Sequence, residues 1–189
     1  MAERIQFNFS ARKAVEAAVV LLKREPYRRT NYMRLLKLLY IADRESLKET
    51  GSPITGDTVY AMDRGPVLSS VLKLIKSEHP DSPIWDCVIR KDRFDVEAIE
   101  DPGLHVLSMY EVQKLHEVSE RYADLDEWQL SSLTHAFPEY AKNEPPKGSR
   151  QLIDPADILD AVSPGADKEF VASEAAARRA TDRIFGGGA

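Results

Sequence analysis

Apolar positions near the start of the chain recur at helical spacing. Ala11, Val15, Ala18, Val19 and Leu22 fall on one stripe, Ser10 supplies a side-chain oxygen for the first free amides, and Pro26 stops the run. A second helix restarts at Thr30 or Asn31 and runs to about Glu49, ended by Gly51 and Pro53. Within it Leu35, Leu36, Leu38, Leu39, Tyr40 and Ile41 are almost continuous. A helix apolar on more than one side belongs at the centre of its domain. This segment is therefore expected to be the core.

The period then changes. Thr55, Gly56 and Asp57 read as a turn, and Thr58, Val59, Tyr60 and Ala61 as a short strand. Gly65 and Pro66 then form a tight strand-to-helix turn, with Pro66 at the first position of a third helix carrying Val67, Val71, Leu74 and Ile75. His79 and Pro80 end that helix. Ile84 to Ile89 and Phe94 to Ile99 read as a hairpin around Arg90-Lys91-Asp92-Arg93. Beyond it, Ser108 and Glu111 form a capping box, Asp126 caps a shorter helix, and Asn143 to Arg150 is a loop. Asp154-Pro155 opens a helix to about Ala161, and Ser163-Pro164 precedes a last one reaching Ile184. The sum is an α+β, mostly α-helical fold: a compact helical domain with a small antiparallel sheet of two to three strands. Residues 1–161 form the domain, 162–185 a C-terminal helix packed on or extending it, and 186–189 a disordered tail.

Hydrophobic residues are 43% of the 189 and charged residues 30%, with a mean hydropathy of -0.39, which fits a globular protein with a real core. The longest apolar stretch, Ala17 to Leu22, is far short of the roughly 20 residues that span a bilayer. No signal peptide is read at the start, and Cys87 is the lone cysteine, so the expected address is the cytoplasm. Charge is uneven. Residues 1–50 carry eleven Lys and Arg against six Asp and Glu, a net of +5, and the remainder carries 15 against 25, a net of -10. Such a basic block either faces nucleic acid or an acidic partner, or consists of cations on solvated helix faces. The scattered positions favour solvated faces.

Chemical motifs are few in the sequence. No Walker, dinucleotide-binding or nucleophile-elbow pattern is present. His116 and Glu120 lie four apart and are expected to form a surface ion pair, not half of a metal site. Ser131, Ser132 and Thr134 beside His135 lack an identifiable base or oxyanion hole.

Met33-Arg34-Leu35-Leu36-Lys37-Leu38-Leu39-Tyr40-Ile41-Ala42-Asp43-Arg44 resembles the signature helix of the Panacea domain family, which includes SocA-like antitoxins and phage-associated GepA-like proteins. Gly51 to Asp57, Val59-Tyr60-Ala61, Gly65-Pro66-Val67, Leu130 to His135 and Ile153 to Leu159 continue the resemblance in order. Arg64 stands where an aromatic is expected, and Pro138-Glu139-Tyr140 where proline is often followed by tryptophan. The resemblance implies a bacterial antitoxin that neutralises a cognate protein toxin by direct contact. Two alternatives are a proteolytic adaptor delivering the toxin to an ATP-dependent protease and a DNA-binding regulator using the basic N-terminal region. None of these roles needs a cofactor, and an enzyme is not expected; neither nucleic acid nor a membrane is an expected partner.

Within this frame Arg34, Lys37 and Tyr40 are expected on one face of the second helix as a toxin-facing patch, which Asp43 and Arg44 extend. Arg64 and His135 complete the partner-binding set, while Gly65 and Pro66 are structural. For His135 a buried hydrogen bond is the favoured role. The alanine face of the last helix, Ala175, Ala176, Ala177 and Ala180, is expected to pack closely on the body.

Overall fold

A computed structural model describes residues 4–185, apart from the Phe185 side chain. The tail Gly186–Ala189, expected to be disordered, lies outside the described residues. Helix α1 (Ala11–Leu22) opens on Ser10, whose Oγ accepts from the Lys13 amide at 3.2 Å. Helix α2 (Tyr32–Thr50) is capped by Asn31, which accepts from the Met33 amide at 2.9 Å. Gly51 closes it at φ 73°, a left-handed conformation that a side chain disfavours. Thirteen of its 19 residues are buried, which makes α2 the axis of the molecule. Around it pack α1, α5 (Met109–Arg121), α6 (Glu127–His135) and α8 (Pro155–Val162).

Two three-stranded antiparallel sheets flank this bundle, so the architecture is α+β and mostly helical. One has the order β1-β5-β4, from Arg29–Asn31, Asp95–Ala98 and Ile89–Asp92; the other has the order β3-β2-β6, from Gly65–Leu68, Val59–Met62 and Gln151–Leu152. Three sequence expectations are corrected here. Pro66 does not begin a helix: it lies in β3 opposite Ala61, and Gly65 ends a hairpin turn instead of a strand-to-helix turn. A proline is tolerated there because β3 is an edge strand with no ladder beyond it. Helix α3 starts only at Ser69 and runs to Ile75, its Ser70 and Val71 amides held by the Asp57 carboxylate at 3.0 and 2.9 Å. Ile84 belongs to a short helix, α4 (Ser82–Asp86), not to a strand. The hairpin that follows turns at Arg93-Phe94, because Asp92 pairs with Asp95. A short apolar run such as Ile84-Trp85-Val88-Ile89 fits either period.

The capping box at Ser108 forms and Asp126 caps α6 as expected, the latter also in a capping box with Gln129, and α7 (Pro138–Lys142) follows directly after α6. Helix α9 (Lys168–Phe185) buries Val171, Ala172 and Ala175, leaves Ala177 and Ala180 exposed, and is tied to the extended residues before α1. Arg179 donates to the Gln6 carbonyl, and the Asn8 amide group donates to Asp182 at 3.2 Å. Among the described residues no helix is long and apolar enough to cross a membrane.

Candidate interaction site

The turn between β2 and β3 is fastened at four of its backbone carbonyls. Tyr140 Oη of α7 donates to the Met62 carbonyl at 2.9 Å, and Ser131 Oγ of α6 donates to that of Arg64 at 2.9 Å. His135 Nε2 lies 3.1 Å from the Asp63 carbonyl, and Lys37 Nζ of α2 donates to that of Pro66 at 2.8 Å. Gly65 is required at the centre of this clamp. Its φ is +95°, and a Cβ there would stand 2.8 Å from Thr134 Oγ1 and 3.0 Å from Lys37 Nζ. The clamp presents Arg64 outward, with its guanidinium 5.0 Å over the ring of Trp128, the second residue of α6. Trp128 is 55% exposed. A stacked cation and indole on a rigid turn has little conformational freedom left to lose on binding.

Residues 35–140, more than half of the chain, match the family model described as "Antitoxin SocA-like, Panacea domain". The chain belongs to the SocA-like Panacea family. Lys37, Arg64, Trp128, Ser131, His135 and Tyr140 all fall inside the matched span, so the clamped turn is part of the Panacea domain. No match is found among curated proteins or among solved structures.

Arg34, Lys37, Tyr40 and Asp43 of α2 are buried, which corrects the expected toxin-facing patch. Arg34 is 6% exposed; it donates to Glu25 at 2.8 Å and to the Tyr122 and Leu125 carbonyls. Lys37 is 1% exposed, and burial lowers its pKa to about 7. Tyr40 donates to Glu139 Oε1 at 2.7 Å, and burial pushes its phenol well above the usual range. Arg44 reaches the same carboxylate at 2.6 Å and lies 4.2 Å over the Phe137 ring. Asp43 accepts from the Ile54 and Thr55 amides at 3.0 and 2.9 Å and from the Thr55 hydroxyl, and burial raises its pKa to about 7. Arg34, Lys37, Tyr40 and Asp43 therefore hold the Panacea domain together internally, because α2 is surrounded on nearly all sides. Of the predicted partner residues, Arg64 is exposed, Arg44 and His135 are partly so, and only Arg64 projects freely.

His135 packs within the scaffold, with Nδ1 2.6 Å from the Ser131 carbonyl, Nε2 near that of Asp63 and its ring edge-on to Tyr140 at 4.5 Å; a neutral imidazole has a single N–H and donates to one of the two. Both neighbours are carbonyl acceptors, so the imidazole is not set to take a proton from Ser131, whose hydroxyl points to Arg64. His116 and Glu120 are both exposed and form no ion pair, contrary to expectation. The charge asymmetry also has an internal explanation. Lys13 meets Glu111 at 2.6 Å, Arg29 meets Asp92 and Asp95 at 3.0 Å each, Lys23 meets Asp101, and Arg44 meets Glu139. With Arg4 on Asp154, five of the eleven cations in residues 1–50 pair with the acidic remainder of the same chain, and Arg34 and Lys37 are buried. Sequence reasoning missed Trp128, Glu139 and Tyr140. The available signal was the Pro138-Glu139-Tyr140 segment, whose departure from the family pattern marks a position that had to be filled differently.

Proposed function

We propose that this Panacea protein is an antitoxin that neutralises a cognate protein toxin by direct contact, acting by binding and not by catalysis, in the cytoplasm. Membership of an antitoxin family over residues 35–140 carries this reading. We assign the contact to the face around Arg64 and Trp128. Arginine and tryptophan are the residue types that dominate binding energy at interfaces, and this pair is exposed, with Arg64 on the fastened β2–β3 turn and Trp128 at the start of α6. The internal pairing of the N-terminal cations leaves the protein partner favoured over nucleic acid.

The test is a growth assay of the neighbouring reading frame, expressed alone and with this protein, followed by co-purification. The expected result is toxicity alone, rescue together and a stable complex. Arg64→Ala with Trp128→Ala should weaken the complex about 30-fold or more, since interface truncations of this type cost on the order of 2 kcal/mol. The urea midpoint of the free protein should stay unchanged. A harmless neighbour, or full rescue and unchanged affinity in the double variant, would contradict the reading. A toxin that disappears only when an ATP-dependent protease is present would replace blocking with delivery.

A further inference from the structure

We propose that the half-open cavity lined by α2, β2, α8, α9 and the residues before α1 is a binding site for a small organic phosphate of the nucleoside-monophosphate class, separate from the toxin-facing turn. Its volume is about 410 Å³, inside the range of roughly 300–1,000 Å³ that holds small-molecule ligands. Four arginines from distant parts of the chain converge on it: Arg4 before α1, Arg44 in α2, and Arg179 and Arg183 in α9. Three are anchored on one side only. Arg4 Nε is 3.3 Å from Asp154, Arg44 uses Nε and Nη2 on Glu139, and Arg179 gives Nη1 to the Gln6 carbonyl. A guanidinium carries five N–H donors in a rigid fork, so anchoring through one or two leaves further donors on each side chain. Anchored forks of this kind are preorganised for oxyanions.

Arg4 and Arg44 are each paired with a carboxylate, Asp154 and Glu139, so the positive charge facing a ligand comes mainly from Arg179 and Arg183, while the two acidic groups in the lining are held by other partners. Asp43 and Asp57 both turn their oxygens to backbone amides, Asp43 to residues 54 and 55 and Asp57 to residues 58, 70 and 71. Burial raises the pKa of both, that of Asp43 to about 7. Elsewhere the lining is apolar and aromatic: Phe7, Leu47, Val59, Tyr60, Leu152 and Ile158. A lining divided in this way suits a flat, apolar body joined to a compact anion. A phosphate monoester fits better than a carboxylate, because its charge of about -2 and three acceptor oxygens can engage several forks together. Residues 4–9 and α9 lie outside the matched span 35–140, so much of this site belongs to the flanks of the domain.

Calorimetric titration of the full chain with AMP, GMP, CMP, UMP, adenosine and inorganic phosphate tests the proposal. At least one nucleotide should bind saturably with one site per chain, tenfold or more tighter than adenosine or phosphate. Arg179→Gln with Arg183→Gln should lose at least tenfold in affinity at unchanged circular dichroism, and Arg183→Gln alone, at an exposed position, should lose part of it. Arg64→Ala with Trp128→Ala should bind the nucleotide normally, which separates this site from the toxin contact. Absence of binding by every nucleotide, equal binding by the arginine variants, or phosphate binding as tightly as any nucleotide would overturn it.

Discussion

Lys37→Met removes a charge from the interior while keeping the length of the side chain, and its effect on stability should reverse with pH. The ammonium is 1% exposed and donates to a single carbonyl, that of Pro66 at 2.8 Å. Burial lowers its pKa from 10.5 to about 7. Between those two values the unfolded chain binds more protons than the folded one, so wild-type stability rises with pH across the window. The penalty for the buried charge is full below about pH 7 and gone above about 10.5. The slope it contributes is about 1.4 kcal/mol per pH unit, or roughly 5 kcal/mol over the window. Methionine abolishes that penalty but leaves the Pro66 carbonyl without its donor, a loss of about 1–3 kcal/mol. Near pH 7 the relief exceeds the loss, and the variant should be more stable by roughly 2–4 kcal/mol. Near pH 10.5 only the loss remains, and the variant should be less stable by about 1–3 kcal/mol. Urea unfolding at intervals from pH 7 to 10.5, followed by circular dichroism, measures both curves. Two parallel curves would refute the argument, because they would mean that Lys37 is charged, or neutral, to the same extent in both states.

Gly65→Ala should cost about 2–4 kcal/mol, from a side chain at positive φ and from overpacking against Thr134 and Lys37. Chemical denaturation measures it, and a loss below about 0.5 kcal/mol would mean that the turn is free to move. The same variant should weaken toxin binding if the clamp positions Arg64. Glu139→Ala takes the shared acceptor from Tyr40 and Arg44 and should destabilise by about 3 kcal/mol, as expected when one partner of a buried ion pair is removed. Replacing Arg44 by methionine in the same chain should recover part of that loss, and no recovery would indicate that the carboxylate acts mainly through Tyr40.

Local chemistry determined a good part of this protein in advance. Ser10, Asn31, Ser108, Asp126 and Asp154 each cap a helix through an amide two or three residues away, so side-chain type and spacing were enough to place them. The near-continuous apolar run of α2 marked the core for the same reason, since a helix buried on all sides has no solvated stripe. Tertiary structure decided the rest. Strands as short as β1 and β6 exist only through their ladder partners, and Ile84 could follow either period until α4 was packed. The polar residues of α2 are the clearest case. Their spacing suggested one exposed face, but their partners lie far along the chain, with Lys37 bonded to Pro66 29 residues away and Tyr40 to Glu139 99 residues away. Several of those partners are backbone carbonyls, which every residue carries, so no side-chain identity announces them. Folding brought the β2–β3 turn over α2 and buried Arg34, Lys37, Tyr40 and Asp43 beneath the domain surface. It left Arg64, stacked on a tryptophan from another helix, as the predicted partner residue that projects freely.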